Sequence, residues 1–390
     1  MTLQWGMIGG GESSQIGGAH RIAARMHNAF ELTAAALDAD PARAREYALR
    51  LGVPMERAYG DRREMLQGER KRARRLDLVT IATPNSSHFE ITGAFLAAGF
   101  DVLCEKPLTN TVAQAEEIVE VARRHNRICA VNYAYSGYPL VRHARAMVAR
   151  GDLGRIRVVV AEFAHGHHAS AAEADDPRVR WRYDPAVAGI SAVLADCGIH
   201  ALHLACFITG QRVESLAADF ASTIPARRLE DDALLAFRMS HGAVGRLWTS
   251  AVAIGRAHGL TIEVYGERGG LRWQQEHPNQ LYWTPAGGPT SIIERGAPGL
   301  SGEADRATHV LAGHSEGFLE AFGNIYADLA EVLQARNAGR APDPLAVSYP
   351  RAEDGLLSVA AVHAAADSAN AGGAWVKVSL TPGHTAPTDA

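Results

Sequence analysis

The chain has 390 residues, which sets an expectation of two domains or three. Apolar residues make up 47% and charged ones 21%, the balance of a globular protein with a large core, and the formal charge of −4 provides no global field for nucleic acid or an anionic membrane. Cys104, Cys129, Cys197 and Cys206 form no C-x-x-C pair and read as reduced thiols of a cytoplasmic protein; no signal peptide precedes the first strand, and no apolar run reaches membrane-span length.

Leu3–Ile8 reads as a strand, Gly18–Met26 as a helix and Glu31–Leu37 as a second strand. The alternation continues with a helix over Ala42–Leu51, a strand over Leu76–Ala82, a helix over His88–Ala98, a strand over Asp101–Cys104, a helix over Val112–His125 and a strand over Ile128–Asn132. Such alternation makes βαβ units, so residues 1–133 are expected to form a doubly wound α/β domain, a parallel sheet with helices on both faces. The basic run Glu69–Arg75 reads as a solvated helix end or loop before the next strand rather than as a nucleic-acid patch.

From residue 134 the rhythm changes. A helix over Leu140–Arg150 and a strand over Arg157–Phe163 precede a helix near Ser191–Thr209. Strands follow near 215–222, 232–239, 244–253, 260–266, 269–273 and 280–283, with hairpin signals at Ser240-His241-Gly242 and Glu267-Arg268-Gly269-Gly270. Residues 134–378 are therefore expected to form an α+β domain with an open, mainly antiparallel sheet. The Gly- and Pro-rich stretch 285–313 reads as a long loop, helices over Glu316–Asn337 and Glu353–Asn370 close the fold, and 379–390 reads as a flexible tail.

The first strand ends in Gly9-Gly10-Gly11, and Gly17-Gly18-Ala19-His20 opens the first helix. A dinucleotide site needs glycines here, because the turn takes unusual backbone angles and a side chain would keep the pyrophosphate from the helix N-terminal amides. The loop is about three residues longer than in G-x-G-x-x-G. Asp38 ends the second strand, where a carboxylate accepts hydrogen bonds from ribose hydroxyls and repels a 2′-phosphate; this favours NAD, while nearby Arg43 and Arg45 keep NADP as the alternative. A helix cap ahead of Asp40-Pro41 is the structural alternative for Asp38.

Thr83-Pro84-Asn85-x-x-His88 followed by Cys104-Glu105-Lys106-Pro107 resembles the Gfo/Idh/MocA oxidoreductase family. Gly154-Arg155-Ile156, Trp181-Arg182, Asp196-x-x-x-His200 and Gly242-Ala243-Val244-Gly245 extend the likeness over about residues 3–375; Trp181-Arg182 resembles the levoglucosan and pyranoside dehydrogenase branch, and the chain also resembles the inositol dehydrogenase branch. The resemblance implies a Rossmann domain followed by a substrate-binding and oligomerisation domain. Gly9, Gly11, Ile16 and Gly17 would hold the pyrophosphate and Asp38 the ribose. Thr83, Asn85 and His88 would line the dinucleotide, with Glu105, Lys106 and Asn132 flanking the nicotinamide end. The chain departs from the family pattern in its longer glycine loop, in Val131-Asn132-Tyr133 where an Arg is common, and in Gly189-Ile190-Ser191-Ala192.

Oxidising a secondary alcohol requires a base for the O–H proton, a group that stabilises the developing alkoxide, and a rigid pose. Lys106 suits the electrophilic task and His200 the acid/base task. On a regular helix Asp196 and His200 share a face one turn apart, so Asp196 is expected to bind substrate or orient the imidazole. His203 reads as a packed structural histidine. His165, Trp181, Arg182 and His314 are candidates for substrate contacts, with Ser315 as a helix cap beside His314. The His165-Gly166-His167-His168 spacing does not read as a metal site, and no metal is expected.

The function expected is hydride transfer between a secondary hydroxyl of a sugar, glycoside or cyclitol and NAD. A keto-sugar reductase, a dihydrodiol-type dehydrogenase and a non-catalytic dinucleotide- or sugar-sensing regulator are the alternatives. A small polyol or sugar is the expected partner, with no nucleic acid or membrane, and a homodimer or homotetramer is expected through the second domain's sheet.

Overall fold

A computed structural model describes residues 2–170, 176–225 and 227–380; most of the expected tail lies outside the described residues. The chain divides into two compact units. The first holds residues up to Thr109, Gln114–Gly137 and Phe318–Ala352; the second holds Asn110–Ala113, Tyr138–Gly317 and the chain from Glu353 on. A single boundary at 133/134 therefore misses a crossing, because the chain returns to the first unit at Phe318.

The first unit is built on strands β1 (Leu3–Gly9), β2 (Phe30–Ala36), β3 (Leu78–Ala82), β4 (Val102–Cys104) and β5 (Cys129–Val131). They form one sheet in the order β2-β1-β3-β4-β5, with every pair parallel. The helices α1 (Gln15–Arg25), α2 (Pro41–Arg50), α3 (Arg62–Arg70), α4 (His88–Ala97) and α5 (Val112–Arg124) connect them. The strands are nearly continuous apolar runs because a parallel sheet is covered on both faces. The order reverses between β1 and β3, and the carboxyl ends of strands at such a switch point are where open α/β sheets bind ligands.

The returning helix Phe318–Asn337 packs on α1. Its Phe322, Ile325, Tyr326, Leu329 and Leu333 join Leu3, Trp5, Ala19, Ala23, Phe30 and Leu32 in the unit's core. Hydrophobic periodicity marks such a helix but carries no signal of which domain it covers, which is why the sequence assigns it to the wrong one.

Helix α3 falls outside the expected elements, although Asp61-x-x-Glu64 announces it: the Asp61 carboxylate accepts from the Arg63 and Glu64 amides. Several side chains of the overlapping basic run are engaged locally. Buried Glu69 pairs with Arg57 at 2.6 Å, Arg75 stacks on Phe100 and donates to the Ala98 carbonyl, and Arg72 donates to the Glu56 carbonyl.

The second unit carries a nine-stranded sheet of β6 (Ile156–Ala164), β7 (Val213–Ala221), β8 (Asp232–Met239), β9 (Val244–Ser250), β10 (Thr261–Gly266), β11 (Gly269–Gln274), β12 (Gln280–Pro285), β13 (Ser291–Glu294) and β14 (Val376–Lys377), in the order β13-β12-β11-β10-β6-β9-β8-β7-β14. Only β6 and β9 run parallel; all the other neighbours are antiparallel. Helices Pro139–Ala149, Ile199–Thr209 and Ala352–Asn370 accompany it. The stretch expected as a loop at 285–313 holds β13 and a short helix, Gly302–Arg306, capped by the Ser301 hydroxyl. Among the described residues, no helix is long and apolar enough to cross a membrane.

Candidate active site

The residues expected to hold a dinucleotide gather along the carboxyl edge of the parallel sheet. Gly9 ends β1 beside Ala82, the last residue of β3, and takes a φ of 74°; a Cβ on Gly9 would lie 2.5 Å from the Ala82 carbonyl oxygen. Gly10, absent from the expected contacts, is also left-handed at φ 67°. Cβ atoms on Gly11 and Gly17 would meet the carbonyl oxygens of Leu37 at 2.7 Å and Gly10 at 2.1 Å. None of these positions accepts a side chain without displacing backbone. The long loop is shorter than the spacing suggests, since α1 begins at Gln15 and carries Ile16 and Gly17 in its first turn. Ser14 caps α1 through Gly17, no acidic residue lies in that turn, and Arg21 ties down the Gly10 carbonyl at 2.5 Å. A positive helix end with no acidic side chain in its first turn, opposite close-packed glycines, fits an anionic pyrophosphate.

Asp38 follows β2. Its Oδ1 accepts from the Asp40 amide at 2.8 Å and from Arg43 at 2.9 Å, and the Arg43 guanidinium holds the carboxyl below its ordinary range. Asp40 caps α2 instead, which removes the capping role weighed for Asp38. An ionised carboxylate beside Gly11 suits ribose hydroxyls.

His88 does not offer a polar edge to a ligand, contrary to the expectation that it lines the dinucleotide. It is fully buried, with its ring nitrogens each 2.8 Å from a backbone carbonyl, those of Pro107 and Thr83. Neutral imidazole has one N–H and two carbonyls accept, so the geometry selects the imidazolium. Burial opposes the charge, but attraction to the Cys104 sulfur and the two carbonyl bonds outweigh it, raising His88 to about 9. The residue braces two loops of the site. Thr83 and Asn85 stay half-exposed, and the Thr83 hydroxyl accepts from Ser87 at 2.7 Å.

Glu105 and Lys106 leave the end of β4, where the Lys106–Pro107 peptide is cis. Lys106 is half-buried and Glu105 is buried. Glu105 Oε1 accepts from His20 Nε2 at 2.9 Å and from Asn132 Nδ2 at 2.5 Å, and Oε2 accepts from the Lys106 amide at 3.2 Å. Burial would raise this carboxyl, but the hydrogen bond from His20, the Lys106 charge and Asn132 together hold it below the usual range. Asn132 Oδ1 is buried with no donor among the described residues, as befits a group that faces a bound donor. The residues present therefore fit a dinucleotide whose nicotinamide end meets Glu105, Lys106 and Asn132.

The second unit brings another set together. Leu194–Gly198 is a π-turn that runs into the helix Ile199–Thr209. Asp196 stands in the π-turn, which alters the one-turn spacing expected of Asp196 and His200. Its Oδ2 accepts from Arg182 Nε at 2.9 Å, and the Arg182 guanidinium lies 4.5 Å from the Trp181 ring. His200 is buried, and its ring centroid is 6.1 Å from that of Phe163, which also neighbours His165 and His258. His165 stacks on His167 and donates from Nε2 toward Cys197 Sγ at 3.3 Å while Nδ1 accepts from the His167 amide. Burial, with charge repulsion from His168, His167 and His258, pushes His165 down to about 4, so it is neutral near pH 7. Burial also lowers His258.

Three supports of this set escape a reading by motif. His258 belongs to the loop before β10 and has no spacing signal. Buried Glu230 accepts from the Ser191 hydroxyl and from the Ala192 and Leu194 amides, fixing the start of the π-turn. Buried Asp231 receives Arg227, which also donates to the His168 carbonyl. His203 is buried against Phe207 and is pushed down to about 3 by burial and the Arg145 charge. His314 is exposed, sits four residues ahead of the helix Phe318–Asn337, and lines a cleft with Thr308, His309, Val310 and Leu311. Ser315 is therefore not that helix's cap. Among the described residues no group of three His, Cys, Asp or Glu side chains has metal-holding geometry.

Residues 3–133 match the oxidoreductase family with an NAD-binding Rossmann fold, GFO/IDH/MocA, and residues 141–272 match the GFO/IDH/MocA C-terminal domain. The chain belongs to this oxidoreductase family. An uncharacterized oxidoreductase, YfiI, of Bacillus subtilis (strain 168) is 37% identical over 379 residues, 96% of each chain. The levoglucosan dehydrogenase of Pseudarthrobacter phenanthrenivorans is 27% identical over 310 residues, covering 72% of this chain and 75% of that one. Among solved structures, an inositol dehydrogenase homolog from Azotobacter vinelandii complexed with NAD+ is 40% identical with a TM-score of 0.92, over 97% of both chains. The same homolog complexed with NADH and myo-inositol gives a TM-score of 0.89, over 97% of this chain and 98% of that one. The first unit is thus the family's NAD-binding Rossmann fold.

The raised His88 generates a prediction. Its charge adds stability that is complete below about pH 6.5 and is lost as pH rises through about 9, a span of about 3 kcal/mol. Thermal melts of the wild type should fall across that window, and His88→Gln should flatten the fall; an equally steep dependence in the variant contradicts the imidazolium.

Proposed function

We propose that the chain is an NAD-dependent dehydrogenase acting on a secondary ring hydroxyl of a cyclitol, sugar or glycoside. The observation that carries this reading is the ionised, buried Glu105 fixing the Lys106 segment on the sheet edge that holds the glycine turn. The family membership and the likeness to an inositol dehydrogenase homolog solved with myo-inositol support the substrate class.

When bound, the nicotinamide accepts the hydride. The chain's own groups do the rest. The Lys106 ammonium polarises the reacting oxygen and stabilises its developing negative charge. His200 takes the hydroxyl proton and returns it in the reverse direction. Asp196, fixed by Arg182, accepts from a neighbouring substrate hydroxyl, and the Trp181 ring presents an apolar face to the sugar ring. Gly9, Gly11, Ile16 and Gly17 take the pyrophosphate, Asp38 the ribose, and Thr83 and Asn85 the edge of the dinucleotide.

Copies of the chain associate through one face of the large sheet in this reading. Leu234, Val244, Tyr265 and Ile292 are exposed, and the cross-strand register sets them on that one face.

Two outcomes test the assignment. Lys106→Ala should lower turnover about 10²–10⁴-fold in an NAD-reduction assay over inositols, monosaccharides, glycosides and anhydrosugars, with NADH binding retained; normal turnover removes the role. Asp38→Ala should shift the NAD-to-NADP affinity ratio toward NADP by about tenfold in competition titrations, and an unchanged ratio rejects Asp38 as the ribose reader.

A further inference from the structure

Glu105 ends a buried hydrogen-bond chain whose more distant members the dehydrogenase reading leaves without a role. Trp5 Nε1 lies 2.9 Å from Thr80 Oγ1, Thr80 Oγ1 2.9 Å from the Tyr326 hydroxyl, that hydroxyl 2.8 Å from His20 Nδ1, and His20 Nε2 2.9 Å from Glu105 Oε1. Trp5, His20, Thr80 and Tyr326 are buried, and they come from β1, α1, β3 and the returning helix Phe318–Asn337. Tyr326 and His20 stand 306 residues apart in sequence.

The donors in this chain all point one way. A charged carboxylate only accepts, so His20 donates from Nε2 and accepts at Nδ1. Burial holds the Tyr326 phenol protonated, and its O–H supplies that acceptor. The phenol oxygen then accepts from Thr80, whose oxygen accepts from the Trp5 indole, a donor only. Every polar atom is satisfied, and successive bonds polarise one another toward Glu105.

We propose that His20 and Tyr326 are positioning residues of the oxidoreductase site, holding the Glu105 carboxylate ionised and in place so that it orients the adjoining Lys106. The proposal rests on the reading that Lys106 serves hydride transfer. Three groups that titrate or carry charge face Glu105: His20 from α1, Tyr326 from the returning helix, and Lys106 from its own segment. Asn132, which does not titrate, adds a donor from the end of β5. Lys106 and Glu105 attract each other electrostatically, so a neutral or displaced Glu105 changes the environment of the ammonium.

The experiment follows the Glu105 carboxyl by carbon-13 NMR in full-length protein labelled at glutamate, with the signal assigned by its loss in Glu105→Gln. In the wild type it should titrate below the ordinary carboxylate range. In His20→Leu it should titrate at least about one unit higher, with smaller movement in Tyr326→Phe. His20→Gln, which keeps an amide donor near the Nε2 position, should restore most of the wild-type value. With NAD+ and myo-inositol, kcat should fall about 10- to 100-fold in His20→Leu and recover in His20→Gln, while NADH affinity by fluorescence stays within about threefold. A folded His20→Leu with an unmoved Glu105 titration, or with a moved titration and wild-type kcat, overturns the proposal. If His20→Leu fails to fold, Tyr326→Phe decides by the same two readouts. Normal turnover in Lys106→Ala instead defeats the reading of the reaction, a result separable from the titration, which needs no substrate.

Discussion

The buried negative charge of Glu105 organises the ligand-facing edge of the first unit. The Glu105 carboxylate lies inside a parallel sheet's edge, where an ion without partners costs several kcal/mol. His20, Asn132 and the Lys106 amide all donate to it. A hydrogen bond to a charged group contributes about 1.5–3 kcal/mol, so three of them are of the size needed to offset the penalty. Meeting that requirement brings α1, the ends of β4 and β5 and, through Tyr326, the returning helix into one arrangement. The glycine turn depends on the same arrangement, because α1 carries both His20 and the first-turn amides beside Gly17.

The second unit solves a similar problem with acids in a different role. Glu230 is buried and raised by that burial, and it receives one hydroxyl and two amides at the start of the π-turn. Asp231 gathers Arg227 and, through it, the His168 carbonyl. The two adjacent carboxyls thereby fix both the turn that bears Asp196 and the loop that bears His165, His167 and His168. A π-turn presents its side chains at a different angular step from an α-helix, and it is held here by groups from another part of the chain.

Much of the first unit is legible in the sequence because its signals are local. Alternating strands and helices, Gly9 and Gly17 around a turn, and Asp38 at the end of a strand each follow from a short stretch of residues. The adjacency of Glu105 and Lys106 is equally local, since they leave one strand end. The hydrogen-bond chain from Trp5 to Glu105 is invisible because each partner is an ordinary residue in its own segment, and only tertiary packing joins them. His88 illustrates the same limit: its place in the Thr83–His88 motif suggests contact with a ligand, whereas two carbonyls from either side claim both ring nitrogens. Gly313-His314-Ser315 resembles a helix start, whereas the helix begins only at Phe318. The helix Phe318–Asn337 itself was found, but its host was not, since amphipathicity records a buried face without naming what buries it.

The proposed chemistry has Lys106 and His200 act on one substrate oxygen. A crystal structure of the chain with NADH and myo-inositol tests it most directly. Lys106 Nζ and a His200 ring nitrogen should each lie about 2.6–3.2 Å from the same ring hydroxyl, with that carbon facing the nicotinamide. A bound cyclitol whose carbon faces the nicotinamide while either group lies beyond hydrogen-bond reach of its oxygen contradicts the account.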